Sequence, residues 1–141
     1  MTEYVLDASA LLRFLDREPG FERIAALLKQ ATRGGIRLLV SAVNWGEVVS
    51  VLCRAHGLSA AKASASNLRA LPLEIVAADA ERAEEAGIFK QDFKVPYADA
   101  FAGSLAMREK ATLVTADFDF KSATRSVAIE FLPDKKNKSN R

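Results

Sequence analysis

Apolar residues recur along this chain in two rhythms. Short, largely apolar runs at Tyr4-Val5-Leu6, Arg37 to Val40, Leu73 to Val76, Thr112 to Thr115 and Ile129 to Leu132 have the length and content of strands covered on both faces. Between them apolar residues return every third or fourth position, the spacing of amphipathic helices. Leu11, Leu12, Phe14 and Leu15 follow Ser9, which reads as a helix cap, and Pro19-Gly20 ends that helix. A second helix runs from Phe21 to Thr32, stopped by Gly34-Gly35. A third runs from Asn44 to His56, with Trp45, Val48, Val49 and Leu52 on one face and Gly57 as its stop. The pattern continues with an alanine-rich helix from Ser59 to about Ala70 and another from Ala78 to Phe89. A loop over Lys90 to Val95 then leads to a helix from Pro96, at its first position, to Glu109.

Strands alternating with helices predict an α/β fold: a central, mostly parallel, twisted sheet flanked by helices on both sides, with right-handed crossovers. At 141 residues, half of them hydrophobic, the chain has the size and content of one domain with a full core. That domain is expected over 1–134, with a basic, disordered tail over 135–141.

Charge and cysteine content narrow the partners. The net charge is +2, and Lys135, Lys136, Lys138 and Arg141 carry four positive charges, leaving the preceding body near −2. A general polyanion-binding surface is therefore not indicated. One cysteine, Cys53, excludes an internal disulfide framework and fits a reducing compartment. The first residues lack a basic segment followed by an apolar one, and no apolar run approaches the roughly 18 residues of a membrane span. The expectation is a cytoplasmic protein with no membrane partner.

Four acids carry the chemistry. Asp7, Glu47, Asp99 and Asp117 each fall where a strand ends or a helix begins, and in an open parallel sheet those positions share one edge. Each also has an ordinary explanation. Asp7 reads as a cap, Asn44 to Glu47 as a capping box, Asp99 as a dipole-compensating residue and Asp117 as a turn residue. Independent capping gives no reason for all four to share an edge. Clustered carboxylates repel and gain proton affinity unless cations neutralise them, and an oxygen-only donor set suits Mg²⁺ or Mn²⁺. Other catalytic solutions lack residues. The single histidine, His56, reads as a helix C-terminal cation, and Gly34-Gly35 is not followed by the Lys-Ser or Lys-Thr of a phosphate-binding loop. Trp45 and Phe101 fit helical core faces better than base-stacking platforms.

Four strings extend this reading: Val5-Leu6-Asp7-Ala8-Ser9-Ala10, Ser41-Ala42-Val43-Asn44-Trp45-Gly46-Glu47-Val48, Tyr97-Ala98-Asp99-Ala100, and Leu113-Val114-Thr115-Ala116-Asp117-Phe118-Asp119-Phe120. In their order and spacing the chain resembles the PIN-domain nucleases, and among them the VapC-type toxins of bacterial and archaeal toxin-antitoxin modules. The resemblance spans nearly the whole chain. It implies a PIN-like fold and a Mg²⁺- or Mn²⁺-dependent endoribonuclease that cuts RNA by hydrolysis, leaving 5′-phosphate and 3′-hydroxyl ends. Asp7, Glu47, Asp99 and Asp117 would be the metal-binding acids, with Asp7 and Asp99 as principal ligands and Ser9 and Thr115 as supporting polar groups. Asp119 reads either as an auxiliary ligand or as a turn residue. The resemblance also implies a homodimer and a small VapB-like antitoxin that inserts a segment into the cleft. Arg13, Lys90, Lys94, Lys121 and Arg125 are candidates for holding RNA phosphates.

Other readings keep the acids but change the role. A PIN nuclease in RNA processing outside a toxin module carries the same residues, and a catalytically silent PIN module would act as a binding protein. A Mg²⁺-dependent receiver domain would use Asp79 as phosphoacceptor with Thr115 and Lys135, and it leaves Glu47 and Asp99 without a role.

Overall fold

The computed structural model describes residues 1–135. Five parallel strands form one sheet: β1 (Thr2–Leu6), β2 (Ile36–Ser41), β3 (Leu73–Val76), β4 (Thr112–Thr115) and β5 (Ile129–Phe131), in the order β3-β2-β1-β4-β5. Six helices join them: α1 (Ala8–Leu15), α2 (Phe21–Thr32), α3 (Ala42–His56), α4 (Leu58–Arg69), α5 (Ala80–Phe93) and α6 (Tyr97–Glu109). A 3₁₀ helix, Phe118–Ala123, follows β4 and was not anticipated from the apolar pattern.

Side chains alternate across a strand, and here both faces are apolar, so successive residues feed two cores. Val5, Leu39 and Leu113 pack with Phe89, Phe101, Leu105 and Phe120 on the side of α5 and α6. Their neighbours Leu6, Leu38, Val40 and Val114 pack with Leu11, Ile24, Leu27, Val48, Leu52 and Leu68 on the side of α1 to α4. Burying each such side chain contributes about 1.5–3 kcal/mol. The α5–α6 contact is close because Gly103 has no side chain: a Cβ there would lie 2.4 Å from Phe89 Cζ.

Several helix ends differ from the sequence reading. Ser9 does not cap α1; Asp7 does, accepting from Ala10 N at 2.9 Å. Asn44 does not cap α3, which starts directly from β2 with Ser41 accepting from Val43 N at 3.2 Å. The Asn44–Glu47 capping box is thus replaced by a contact inside the helix. Helix α5 continues past Phe89 to Phe93, because Phe93 returns to the same face and packs on Phe89 with ring centroids 4.6 Å apart. Pro96 is the residue before α6 and not its first member, since its ψ of 151° is extended.

Arg13 also differs from its expected surface role. It is 7% exposed, and its Nη1 donates to Pro19 O and Pro133 O, each at 2.7 Å. It thereby ties α1 to the turn before α2 and to the segment after β5. Lys135 pairs with Glu18 at 2.6 Å, while residues 136–141 of the expected tail lie outside the described residues. No described helix is long and apolar enough to cross a membrane.

Candidate metal centre

The sheet order places the site. The chain winds from β1 outward through β2 to β3, then returns to the other side of β1 with β4 and β5. The loops leaving β1 and β4 therefore part in opposite directions and open a crevice beyond the strand ends. Asp7 directly follows β1, and Thr115 ends β4 with Asp117 two residues on. From the helix layers on the two faces, α6 brings Asp99 in its first turn, and α3 brings Glu47.

A hydrogen-bond web fixes the β1 and β4 ends to each other. Asp7 is 3% exposed. Its Oδ1 accepts from Ser9 Oγ at 2.7 Å and from Ala10 N, and its Oδ2 accepts from Thr115 Oγ1 at 2.5 Å. Ser9 Oγ in turn accepts from Ala116 N at 2.8 Å, and Thr115 Oγ1 accepts from Asp117 N at 2.9 Å. The two hydroxyls predicted as supports thus bond Asp7 on one side and the backbone leading to Asp117 on the other. Burial pushes the Asp7 carboxyl up to about 6; the Thr115, Ser9 and Ala10 donors pull it back, and the Asp117 charge adds a small push upward.

Asp99, Asp117 and Asp119 each direct a carboxylate oxygen to one place, all within 4.8 Å of one another. Asp117 is held by a local turn in which its Oδ1 accepts from Asp119 N at 2.9 Å and so caps the 3₁₀ helix. That turn swings the Asp119 carboxylate back beside Asp117. Asp99 Oδ2 is buried and has no hydrogen-bond donor among the described residues. Burial first, then Asp117, Asp7 and Glu47, push the Asp99 carboxyl up to about 8. An orphaned, desolvated carboxylate facing other acids fits a hard divalent cation, which supplies the missing positive partner.

Asp117, Asp7 and Glu47 all act electrostatically on Asp99, but the four acids stand in different states. Asp99 and Asp117 offer oxygens with Asp119, whereas both Asp7 oxygens are engaged by donors. Glu47 Oε1 accepts from Asn44 Nδ2 at 2.9 Å. Asn44 had only a capping role in the sequence reading; its second contact, to Ala98 O at 3.0 Å, spans 54 residues and left no local signal. Of the basic candidates, Lys90, Lys94, Lys121 and Arg125 are exposed, and the Lys121 ammonium lies 5.2 Å from the Phe118 ring centre. A groove of about 590 Å³ beside the acids is lined by Ser9, Arg13, Glu18, Asp117, Phe118 and Lys135, among others. Asp79, the phosphoacceptor of the receiver alternative, caps α5 after the edge strand β3, accepting from Arg82 N at 2.9 Å.

Comparison with known proteins agrees with this architecture. The solved VapBC2 complex from Rickettsia felis, bound to a DNA fragment from its promoter, superposes with a TM-score of 0.71 at 17% identity, covering 94% of this chain and 100% of that one. VapBC-1 from nontypeable Haemophilus influenzae gives 0.70 at 16% identity, covering 92% and 98%. VapC20 from Mycobacterium tuberculosis, described as a Sarcin-Ricin loop cleaving toxin, gives 0.60 at 16% identity, covering 85% and 94%. No curated protein matches the sequence. The family model of the PIN domain matches residues 4–126, which include every acid of the pocket, and the chain belongs to the PIN-domain family.

Proposed function

We propose that this protein is a Mg²⁺- or Mn²⁺-dependent endoribonuclease and the toxin of a VapBC-type toxin-antitoxin pair. The observation that carries the reading is the convergence of Asp99, Asp117 and Asp119 around the orphaned Asp99 oxygen, in a chain of the PIN family. Asp99 and Asp117 would hold the cation, with Asp119 as a further oxygen donor, and Asp7 would enter through whichever oxygen exchanges its donor for the ion. A divalent cation bound there supplies Lewis acidity toward phosphoryl oxygens and brings the pKa of a water toward neutrality.

The chain's own residues supply the rest. Ser9 and Thr115 hold Asp7 in one orientation, and Glu47 orients the attacking water. Because water and not a ribose hydroxyl attacks, the products carry 5′-phosphate and 3′-hydroxyl ends. Exposed Lys90, Lys94, Lys121 and Arg125 are the cations available to RNA phosphates, since Arg13 is committed to backbone carbonyls. The likeness to VapBC complexes supports a VapB-like antitoxin as partner; on this reading the toxin acts on RNA in the cytoplasm, as a homodimer.

The test is to incubate the purified protein with cellular RNA in Mg²⁺, Mn²⁺ or EDTA, beside Asp7→Asn and Asp99→Asn variants. Cleavage is expected only with metal, and each variant should lose more than about a hundredfold, since roughly 1.4 kcal/mol is tenfold in rate. Cleavage surviving EDTA, or ending in a 2′,3′-cyclic phosphate, would overturn the mechanism. Growth arrest on expression, relieved by co-expressing an adjacent small gene, separates a toxin from an RNA-processing nuclease.

A further inference from the structure

Asn44 is the most buried polar side chain next to the pocket whose role the acids do not already explain. It is 1% exposed on α3, and Ser41 caps that helix, so Asn44 has no capping duty. Its Nδ2 donates to Glu47 Oε1 on the same helix and to Ala98 O on α6, the residue before Asp99. Two acceptors on two elements consume both amide protons and set the orientation of the amide. Its Oδ1 consequently points elsewhere and finds no donor among the described residues, a cost that an apolar side chain here would avoid.

Repulsion shows what the amide does. The Glu47 charge acts on Asp99, so an untethered Glu47, which is only half-buried, would lower its energy by swinging toward water and away from the other acids. We infer that Asn44 is a positioning residue for the acidic pocket: one side-chain amide holds the Glu47 carboxylate against repulsion and fixes it relative to the first turn of α6, which carries Asp99. This rests on the reading of the acids as a cation site. It adds a neutral, non-ligating residue whose removal acts through Glu47.

Mn²⁺ binding to the purified protein, followed by calorimetry, tests this without depending on cleavage. Asn44→Ala should weaken Mn²⁺ about tenfold or more, the scale of losing a group that orients a ligand. Asn44→Leu, which fills the volume without donating, should do the same and guards against a simple packing defect. In a Glu47→Ala background, Asn44→Ala should cost nothing further, because the group it positions is gone. Unchanged Mn²⁺ affinity in both Asn44 variants, or an equal loss with and without Glu47, would overturn the inference. Asp99→Asn separates the two levels. If it abolishes Mn²⁺ binding while the Asn44 variants bind normally, only the role of Asn44 fails; if it leaves binding intact, the cation site fails and the inference with it.

Discussion

Thr115 donates its hydroxyl proton to Asp7 Oδ2 across the seam between β4 and β1, and its own Oγ1 accepts from Asp117 N. One hydroxyl thereby couples the first acid of the pocket to the turn that presents Asp117. Because parallel pairing sets Leu6 beside Val114, the residues that follow each strand emerge side by side, and the coupling follows from register.

Replacing Thr115 by valine keeps the shape but leaves Asp7 Oδ2 without a donor and Asp117 N without its acceptor. The expected loss is about 1–3 kcal/mol at neutral pH, where Asp7 is charged, and less near pH 4.5, where its proton removes the charge. Urea unfolding at the two pH values measures the difference. Equal losses at both would mean that the hydroxyl serves the backbone and not the carboxylate.

Metal-free stability should run opposite to that of a salt-bridged protein. Asp7 and Asp99 have ordinary values of 3.8 and are pushed up to about 6 and about 8 in the fold, burial being the first cause for each. Between about pH 4 and 8 the native state then holds more protons on these groups than the unfolded state, so their contribution falls as pH rises. The urea midpoint in EDTA should decline from pH 5 to pH 8, and saturating Mg²⁺ or Mn²⁺ should flatten the decline by replacing the protons. A midpoint that climbs over that interval in EDTA would contradict the buried, mutually repelling acids.

Asp99→Asn should separate stability from activity. The amide removes a group that the fold must either protonate or hold as a desolvated charge facing Asp117, Asp7 and Glu47, so the metal-free protein should melt a few degrees higher, on the order of 1 kcal/mol of stabilisation. RNA cleavage should nevertheless collapse. Melting in EDTA and a cleavage assay on the same preparation decide the matter; a fall in both would assign Asp99 a structural role.

Gly103→Ala tests the close packing of α6 against α5. The new methyl would meet the Phe89 ring, which is 3% exposed and packed at a tilt against Phe93, so it has little room to yield. A cost of about 1–3 kcal/mol is expected, and Phe89→Leu in the same chain should recover part of it by vacating the contact. Thermal unfolding of the single and double variants reads both effects.

Much of the fold was legible because its signals are local. The five apolar runs became the five strands, and Asp7, Asp99 and Asp117 stood out because strand ends and first helical turns favour acids whatever their later use. Asp7 and Asp117 are in fact caps, of α1 and of the 3₁₀ helix, so the ordinary explanation and the convergent one hold together. Signals that depend on distant partners were misread. Asn44 looked like a cap because its contact to Ala98 lies 54 residues away, and Arg13 looked like a surface cation although Pro133, 120 residues on, accepts from it.

The amino-acid order alone determined which segments are strands and helices and that the acids would stand at the ends of them, because hydrophobic period and capping act over a few residues. Only the tertiary structure decided how those acids differ. Whether a carboxylate is saturated by donors, as Asp7 is, or left orphaned among other charges, as Asp99 is, depends on desolvation and on neighbours supplied by other elements. Those terms vary steeply with distance, and distance across the β1–β4 crevice exists only once the strand order has reversed around β1.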